Sequence, residues 1–392
     1  MTNHDLKQPV ILFVLDIFNY GGISTLIRQY IKSLKKDRVK IIIIGSKSNI
    51  PDPNKYFSGS HIIYATNKRR WDFFGHITWA YKLYKSFANI NHNYHVEYIH
   101  ISSFHSALFT CLFPPFWKKR KIYTFCGDYL YEQISTFPKN YTISRKRKLA
   151  LKIMQDFIFF SSSKIITISQ YAKKLIQTNY NHFKKDIIII NPYLEKPKQK
   201  LVQNRKFNRL KILAISRLEP RKGICELLEA LAILKQQNIK FTAKIATSFE
   251  GNFVLSTLNI YEKLNLFENV QVIHKVDEGQ KRKLFNEANL FVMPSQDLET
   301  FGIILIEAIR SGLPSIGTPA GAIPEILKLV DKRLICKTIT AKSISEKIIW
   351  YNKLSLKEKR KLAKTIQHKS ELIFQEDVIH NQIVNEFVYA KN

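Results

Sequence analysis

The chain has 392 residues, 62 of them basic and 31 acidic, for a net charge of +31, and 45% are hydrophobic. That length exceeds a single typical core and suits two domains. Four scattered cysteines, Cys111, Cys126, Cys225 and Cys336, make no paired metal spacing and fit a reduced, cytosolic compartment. No basic-apolar leader opens the chain and no apolar run approaches the roughly 20 residues of a spanning helix, so a soluble or peripheral protein is expected.

Apolar strands alternate with amphipathic helical stretches along most of the sequence, which predicts doubly wound α/β units. Val10-Ile-Leu-Phe-Val-Leu-Asp16 reads as a strand, Asn19-Tyr-Gly21-Gly22-Ile-Ser as a glycine turn, and residues 25–36 as a helix. Two glycines let backbone approach a ligand closely, although a plain strand-to-helix turn fits them equally well. Tyr98-Ile-His100-Ile-Ser102-Ser-Phe-His105 and Tyr123-Thr-Phe-Cys126-Gly127-Asp128 are two further strand ends that carry polar side chains. A lone histidine at such a place is more often structural than functional.

The basic excess is concentrated early: the first 200 residues hold 32 basic and 11 acidic side chains, so +21 of the +31 lies there. Phe113-Pro-Pro-Phe116-Trp117-Lys118-Lys-Arg-Lys121 mixes aromatics with four consecutive cations, and Arg145-Lys-Arg-Lys148 precedes an apolar helical stretch, residues 149–160. Two readings stay open here: an anionic membrane surface as partner, or a solvated basic surface with residues 149–160 in the core. Ile165-Ile-Thr-Ile-Ser169 and Asp186-Ile-Ile-Ile-Ile-Asn191-Pro192 are further strand runs, and the polar residues 196–209 read as a linker.

Beyond the linker, Lys211-Ile-Leu-Ala-Ile-Ser-Arg217-Leu-Glu-Pro-Arg-Lys222-Gly223 is a strand followed by a basic turn that leads into a helix. Cations at the carboxyl end of a parallel strand are well placed to neutralise a diphosphate leaving group; a solvated basic loop is the alternative. Asn289-Leu-Phe-Val-Met293 reads as a buried strand, and the segment from Gly302 to Gly312 and Pro314 as a helix with its stop signals. The helix start, Thr300 to Ile303, offers unpaired NH groups and a partial positive charge for a phosphate. Glu299 lies just before that turn and Glu307 inside the helix; as carboxylates they accept hydrogen bonds from sugar or ribose hydroxyls. Taken alone, Glu299 as a cap and Glu307 as a solvated residue is the simpler account.

Together, Arg217 to Gly223, Pro294-Ser295, Glu299-Thr-Phe-Gly302, Glu307-Ala308, Gly312-Leu-Pro314 and Gly321-Ala-Ile-Pro324-Glu325 resemble the C-terminal domain of glycosyltransferase family 4. The resemblance extends more loosely over roughly residues 10 to 327. It implies a retaining enzyme of α/β GT-B fold, two Rossmann-like domains facing a central cleft, that uses a nucleotide-diphospho-sugar. By that resemblance residues 1–195 form the acceptor domain, 210–370 the nucleotide-sugar domain, and 371–392 a helix that returns to the first. Arg217 and Lys222 would hold the donor diphosphate, with Gly21, Gly22, Thr300 and the backbone of Phe301, Gly302 and Ile303 around it. Glu307 would take the ribose, Glu299 the transferred sugar and Val276 the base, although His274 replaces the family's usual glycine.

On the acceptor side the resemblance points to Ser102, where relatives commonly carry a histidine, to His105 three residues on, and to Asp16 and Asp128. Cys126-Gly127 stands where His-Gly is usual. The implied chemistry is transfer of a hexose-type sugar to an acceptor hydroxyl, with catalytic roles for Glu299, Arg217, Lys222 and His105. The sequence has no Asp-x-Asp pair, so neither metal nor other cofactor is expected; a carbohydrate or lipid-linked acceptor is. Surface polysaccharide or glycolipid assembly is the expected context, at the inner face of the cytoplasmic membrane. Two other classes compete: a degenerate partner subunit, against which intact Arg217, Lys222, Glu299 and Glu307 argue, and a basic nucleic-acid-binding protein. Ser169 follows a strand-like run rather than a turn between helices, so nucleic acid is not expected as a partner.

Overall fold

In the computed structural model, residues 10–18, 21–37, 39–46, 50, 52–66, 73–130, 143–193, 209–247, 254–274 and 276–389 are described; of the linker expected at 196–209, all but residue 209 lies outside them. The chain forms two compact units, one from residues 1–129, 144–193 and 376–392, the other from 130–143 and 194–375.

The first unit is built on seven parallel strands: β1 (Val10–Ile17), β2 (Lys40–Ser46), β3 (His61–Thr66), β4 (Val96–Ile101), β5 (Arg120–Phe125), β6 (Lys164–Thr167) and β7 (Ile187–Ile189). Their order is β3-β2-β1-β4-β5-β6-β7, with Leu12 of β1 registered against Ile42 of β2 and Ile99 of β4. Helices cover both faces, which is why runs such as Ile41 to Ile44 are apolar without alternation. Right-handed crossovers put the helix Gly22–Lys36 on one face and the helices Phe73–Asn93, Phe104–Leu112, Arg145–Ser161 and Gln170–Asn179 on the other. The second face buries Trp79, Leu83 and Phe87 of Phe73–Asn93 among Val10, Leu12 and Val14 of β1.

The first face is completed by residues from the far end of the chain. Phe387 is buried with its ring 5.4 Å from those of Tyr30 and His100. Lys32 and Lys36 hold Glu376 at 3.0 and 3.3 Å, so the helix Glu376–Val384 lies along Gly22–Lys36. The helix expected over residues 371–392 is interrupted near its start. Leu356–Ile373 stops where Phe374 turns inward to meet Phe301 edge-on at 6.2 Å, and only from Glu376 does the chain join the first unit.

The second unit has five parallel strands, β8 (Leu210–Ile215), β9 (Phe241–Thr247), β10 (Val270–His274), β11 (Leu290–Met293) and β12 (Ser315–Gly317), in the order β10-β9-β8-β11-β12. The chain runs outward through β9 and β10 and then returns to the other side of β8. The carboxyl ends of β8 and β11 therefore flank a topological switch point, where open α/β sheets bind ligands. In the first unit the corresponding point lies between β1 and β4.

Because Phe387 fills the space between Tyr30 and His100, Phe387→Ala is expected to destabilise the first unit by about 3 to 5 kcal/mol. Urea denaturation should show the loss as an earlier midpoint.

Candidate functional site

After β8 the chain enters a tight turn, Pro220–Lys222, closed by Gly223 at φ 68°. A Cβ on Gly223 would stand 1.9 Å from the carbonyl oxygen of Pro294, so only glycine lets the turn after β8 press against the turn after β11. The Gln296 amide donates to the Arg221 carbonyl at 2.7 Å across this contact. Arg221 is buried, pairs with Glu219 at 2.8 Å and reaches the Leu298 carbonyl at 3.4 Å. Arg217 meets the other oxygen of Glu219 at 2.8 Å with its side chain exposed.

The turn after β11 is held as firmly. Leu298 is a buried leucine at φ 45°, a left-handed conformation that costs a bulky residue about 1 to 2 kcal/mol. Its amide donates to the Asp297 carboxylate at 2.7 Å. Gly321, at φ 55°, lies against the Glu299 backbone, where a Cβ would come within 2.3 Å of the carbonyl oxygen, and the Ala322 amide donates to that oxygen at 2.7 Å. The Thr318 hydroxyl donates to the Ser295 carbonyl.

Glu299 is thereby fixed with its carboxylate inward, 2.6 Å from the Lys222 ammonium and 3.3 Å from the Ser295 hydroxyl. Burial alone would raise this carboxyl; Lys222, with Arg221 and the Ser295 hydroxyl, overcomes that and holds it below the usual glutamate range. Gly302, at φ 82°, then opens the helix Ile303–Arg310 as its cap residue and so lends it no capping side chain of its own. Such a start presents backbone NH groups and the positive end of the helix dipole beside the ion pair. Thr300, Phe301, Gly302 and Ile303 all lie at this turn.

Glu307, one turn further on, pairs with Lys281 at 2.8 Å, and Lys281 also binds Glu278 at 2.9 Å. Burial would lower the Lys281 ammonium, but the two carboxylates raise it above its ordinary value. Val276 is half-buried past the end of β10, just before the capping box of Asp277 and Gln280.

The acceptor-side candidates belong to the other unit. At the carboxyl edge of its sheet, His105 Nδ1 lies 3.5 Å from an Asp16 oxygen, and the His105 ring stacks on His76 at 4.9 Å. Ser102 is buried at the same edge, and its hydroxyl has no hydrogen-bond partner among the described residues. Gly21 and Gly22 are exposed at the start of their helix, with open space where a Gly21 Cβ would be. Asp128 corrects the sequence reading: it is fully buried and accepts a hydrogen bond from the Tyr180 hydroxyl at 2.9 Å, so its carboxylate serves the core. Cys126 is half-buried after β5. His100 is buried against Thr124 at 2.8 Å, and burial lowers its pKa to about 3, leaving a neutral core histidine.

Sequence reasoning passed over Glu219, Arg221, Lys281, Ser295 and His76 as site residues. Ser295 stood in a quoted motif, but nothing in the local sequence distinguishes Arg221 from Arg217.

The description Glycosyl transferases group 1 matches residues 195–369, and Glycosyltransferase Family 4 matches residues 20–193. The chain belongs to glycosyltransferase family 4. The chain is 24% identical over 181 residues to WcaL of Escherichia coli strain K12, a protein named for colanic acid biosynthesis, covering 45% of the chain and 44% of WcaL. The chain spans about half the length, or less, of the curated relatives it matches. Its fold matches sucrose-phosphate synthase from Thermosynechococcus elongatus with a TM-score of 0.79 at 16% identity, covering 97% of this chain and 98% of the other. It also matches Anabaena Alr3699/HepE in complex with UDP and glucose, TM-score 0.72 at 17% identity, over 96% and 98% of the two chains. The two parallel-sheet units have the α/β GT-B fold. Among the described residues no cluster of histidine, cysteine, aspartate or glutamate could hold a metal ion, and no helix is long and apolar enough to cross a membrane.

The depressed Glu299 carboxyl carries a pH signature. A folded-state value below the unfolded one contributes stability above the unfolded carboxylate range, and that stability is lost as pH falls through the folded value. In Lys222→Met the carboxylate is buried without its ammonium, an expected cost of about 3 kcal/mol near neutral pH. Burial then dominates, the carboxyl rises above its unfolded value, and the variant should recover part of the loss on acidification from about pH 7 to about pH 5. Urea midpoints at the two pH values test this, since a merely structural loss would be the same at both.

Proposed function

We propose that the protein is a retaining transferase that moves a hexose-type sugar from a nucleotide-diphospho-sugar to an acceptor hydroxyl. The observation that carries this reading is the pairing of Lys222 with the buried Glu299 carboxylate at 2.6 Å beside a helix start whose cap residue is a glycine. An ammonium and a helix N-terminus together suit a diphosphate, and the carboxylate suits sugar hydroxyls.

In this reading Lys222 and Arg217 hold the diphosphate with the amides of Phe301, Gly302 and Ile303, and stabilise the charge that develops as the sugar leaves. Glu299 orients the sugar, Glu307 the ribose, and the backbone near Val276 the base. The bond between the anomeric carbon and the phosphate oxygen breaks as the acceptor oxygen bonds that carbon on the same face. The acceptor proton passes to a donor phosphate oxygen. Asp16, Ser102 and His105 of the first unit serve as acceptor-side groups, and Gly21 and Gly22 belong with the donor phosphates. Since Lys222 and the helix start supply the positive charge, turnover is proposed to be metal-independent. WcaL's name supports surface polysaccharide or glycolipid assembly, with the enzyme in the cytoplasm at a membrane that carries a lipid-linked acceptor. Solved HepE complexes with UDP and with UDP-glucose make UDP-sugars the first donors to try.

UDP-, GDP- and ADP-sugars should be screened for a thermal shift, about 2.7 kcal/mol of added stability being expected at 100 times the dissociation constant. One nucleotide class should shift the protein, and Lys222→Ala should lose the shift. Glu299→Ala is expected to lower kcat about 10² to 10³-fold with the donor so identified, EDTA should leave the wild-type rate intact, and the product should keep the donor's anomeric configuration. No shift with any nucleotide sugar, or a wild-type rate in both variants, would refute the assignment.

A further inference from the structure

The helix Arg145–Ser161 turns only one side to the core. Ile158 and Phe159 are buried, whereas Leu149, Ile153, Phe157 and Phe160 are 60%, 57%, 38% and 56% exposed. Spaced by four, four and three residues, these four form a single stripe about 16 Å long on the side away from the sheet. Of the two readings that the sequence leaves open, the one with residues 149–160 in the core does not hold for this stripe.

The same face of the sheet carries a second one. On the helix Phe73–Asn93, Ile77, Tyr81 and Tyr84 are exposed at spacings of four and three. Between these two helices lies Phe104–Leu112, followed by Trp117, which is 62% exposed. Soluble surfaces rarely carry apolar side chains in such concentration without a use for them.

Charge identifies the occupant. Arg145, Lys146, Arg147, Lys148 and Lys152 on the striped helix are all exposed, as are Lys82, Lys85 and Lys118 nearby. The one acidic residue of the helix, Asp156, is paired with His182 at 2.9 Å. An apolar stripe bordered by cations matches a layer of anionic headgroups over hydrocarbon.

We propose that this face docks on an anionic lipid bilayer, with Leu149, Ile153, Phe157 and Phe160 entering the headgroup boundary and Arg145 to Lys148 binding lipid phosphates. Ser162 and Ser163 connect the helix tightly to the start of β6, so its first residues point toward the carboxyl edge of the sheet. Asp16, Ser102 and His105 lie at that edge. The docked face would thus bring bilayer and acceptor-side residues together, a consequence that rests on the transferase reading, whereas docking itself does not.

Flotation of the full chain with vesicles tests the proposal, using phosphatidylcholine alone or with about 30% phosphatidylglycerol, at about 0.15 M salt. The protein should float with the anionic vesicles only. Replacing Arg145, Lys146, Arg147 and Lys148 by Glu should abolish flotation, and Leu149→Ser with Ile153→Ser and Phe157→Ser should weaken it about tenfold or more. Both variants should keep the wild-type melting temperature and nucleotide-sugar shift. Should the triple variant not fold, Phe157→Trp reports insertion directly through a blue-shifted emission on anionic vesicles. Flotation that ignores these substitutions, equal binding to phosphatidylcholine alone, no flotation of the wild type, or a dimer that the serine variant dissociates would each overturn the proposal. Flotation as expected without any nucleotide-sugar shift would leave docking standing and remove the transferase reading instead.

Discussion

An ammonium and a carboxylate meet at 2.6 Å below the surface of the second unit, and most of the backbone detail around the switch point keeps them there. Taking both charges out of water is costly, so the pair persists only because its surroundings leave neither partner an alternative. Gly223 brings the Lys222 turn up to Pro294, and Gly321 locks the Glu299 carbonyl in place from the other side. The left-handed backbone at Leu298 is the strained element of this arrangement, and the buried Arg221 guanidinium lies against its carbonyl.

Within the turn after β8 the cations divide their tasks. Glu219 carries Arg217 on one oxygen and Arg221 on the other, with one guanidinium in solvent and one in the protein. The inner arginine ties the two turns together, and the outer one keeps its side chain exposed. Lys281 has a comparable place beside Glu307: held by a second carboxylate, it positions that glutamate through a contact that bridges two helices.

Much of this was legible before any coordinates. Runs such as Ile41 to Ile44 admit few fates other than a strand buried on both faces, and the spacing of Glu299, Gly302, Glu307 and Gly312 marks a helix entered from a turn. What escaped depends on rotation and distance. Arg217 and Arg221 are alike in sequence, and a single tight turn decides which one faces inward. Nothing in a leucine announces the left-handed backbone at position 298. Asp128 looked available until Tyr180, 52 residues away, took its carboxylate. Residues 149–160 are apolar enough for core or for surface, and two apolar faces on one helix blur the period that would have separated these cases.

The first unit is closed by the last described part of the chain, since Phe387 fills the space among Phe13, Tyr30 and His100. That has a consequence for the order of events on the ribosome. Domains generally fold as they emerge, the N-terminal one first. Here β1 to β7 leave the exit tunnel long before the residue that seals their exposed face is made. The first unit to begin is thus the last to finish, and its unsealed apolar surface must wait while the whole second unit is translated, an interval in which a chaperone has something to hold.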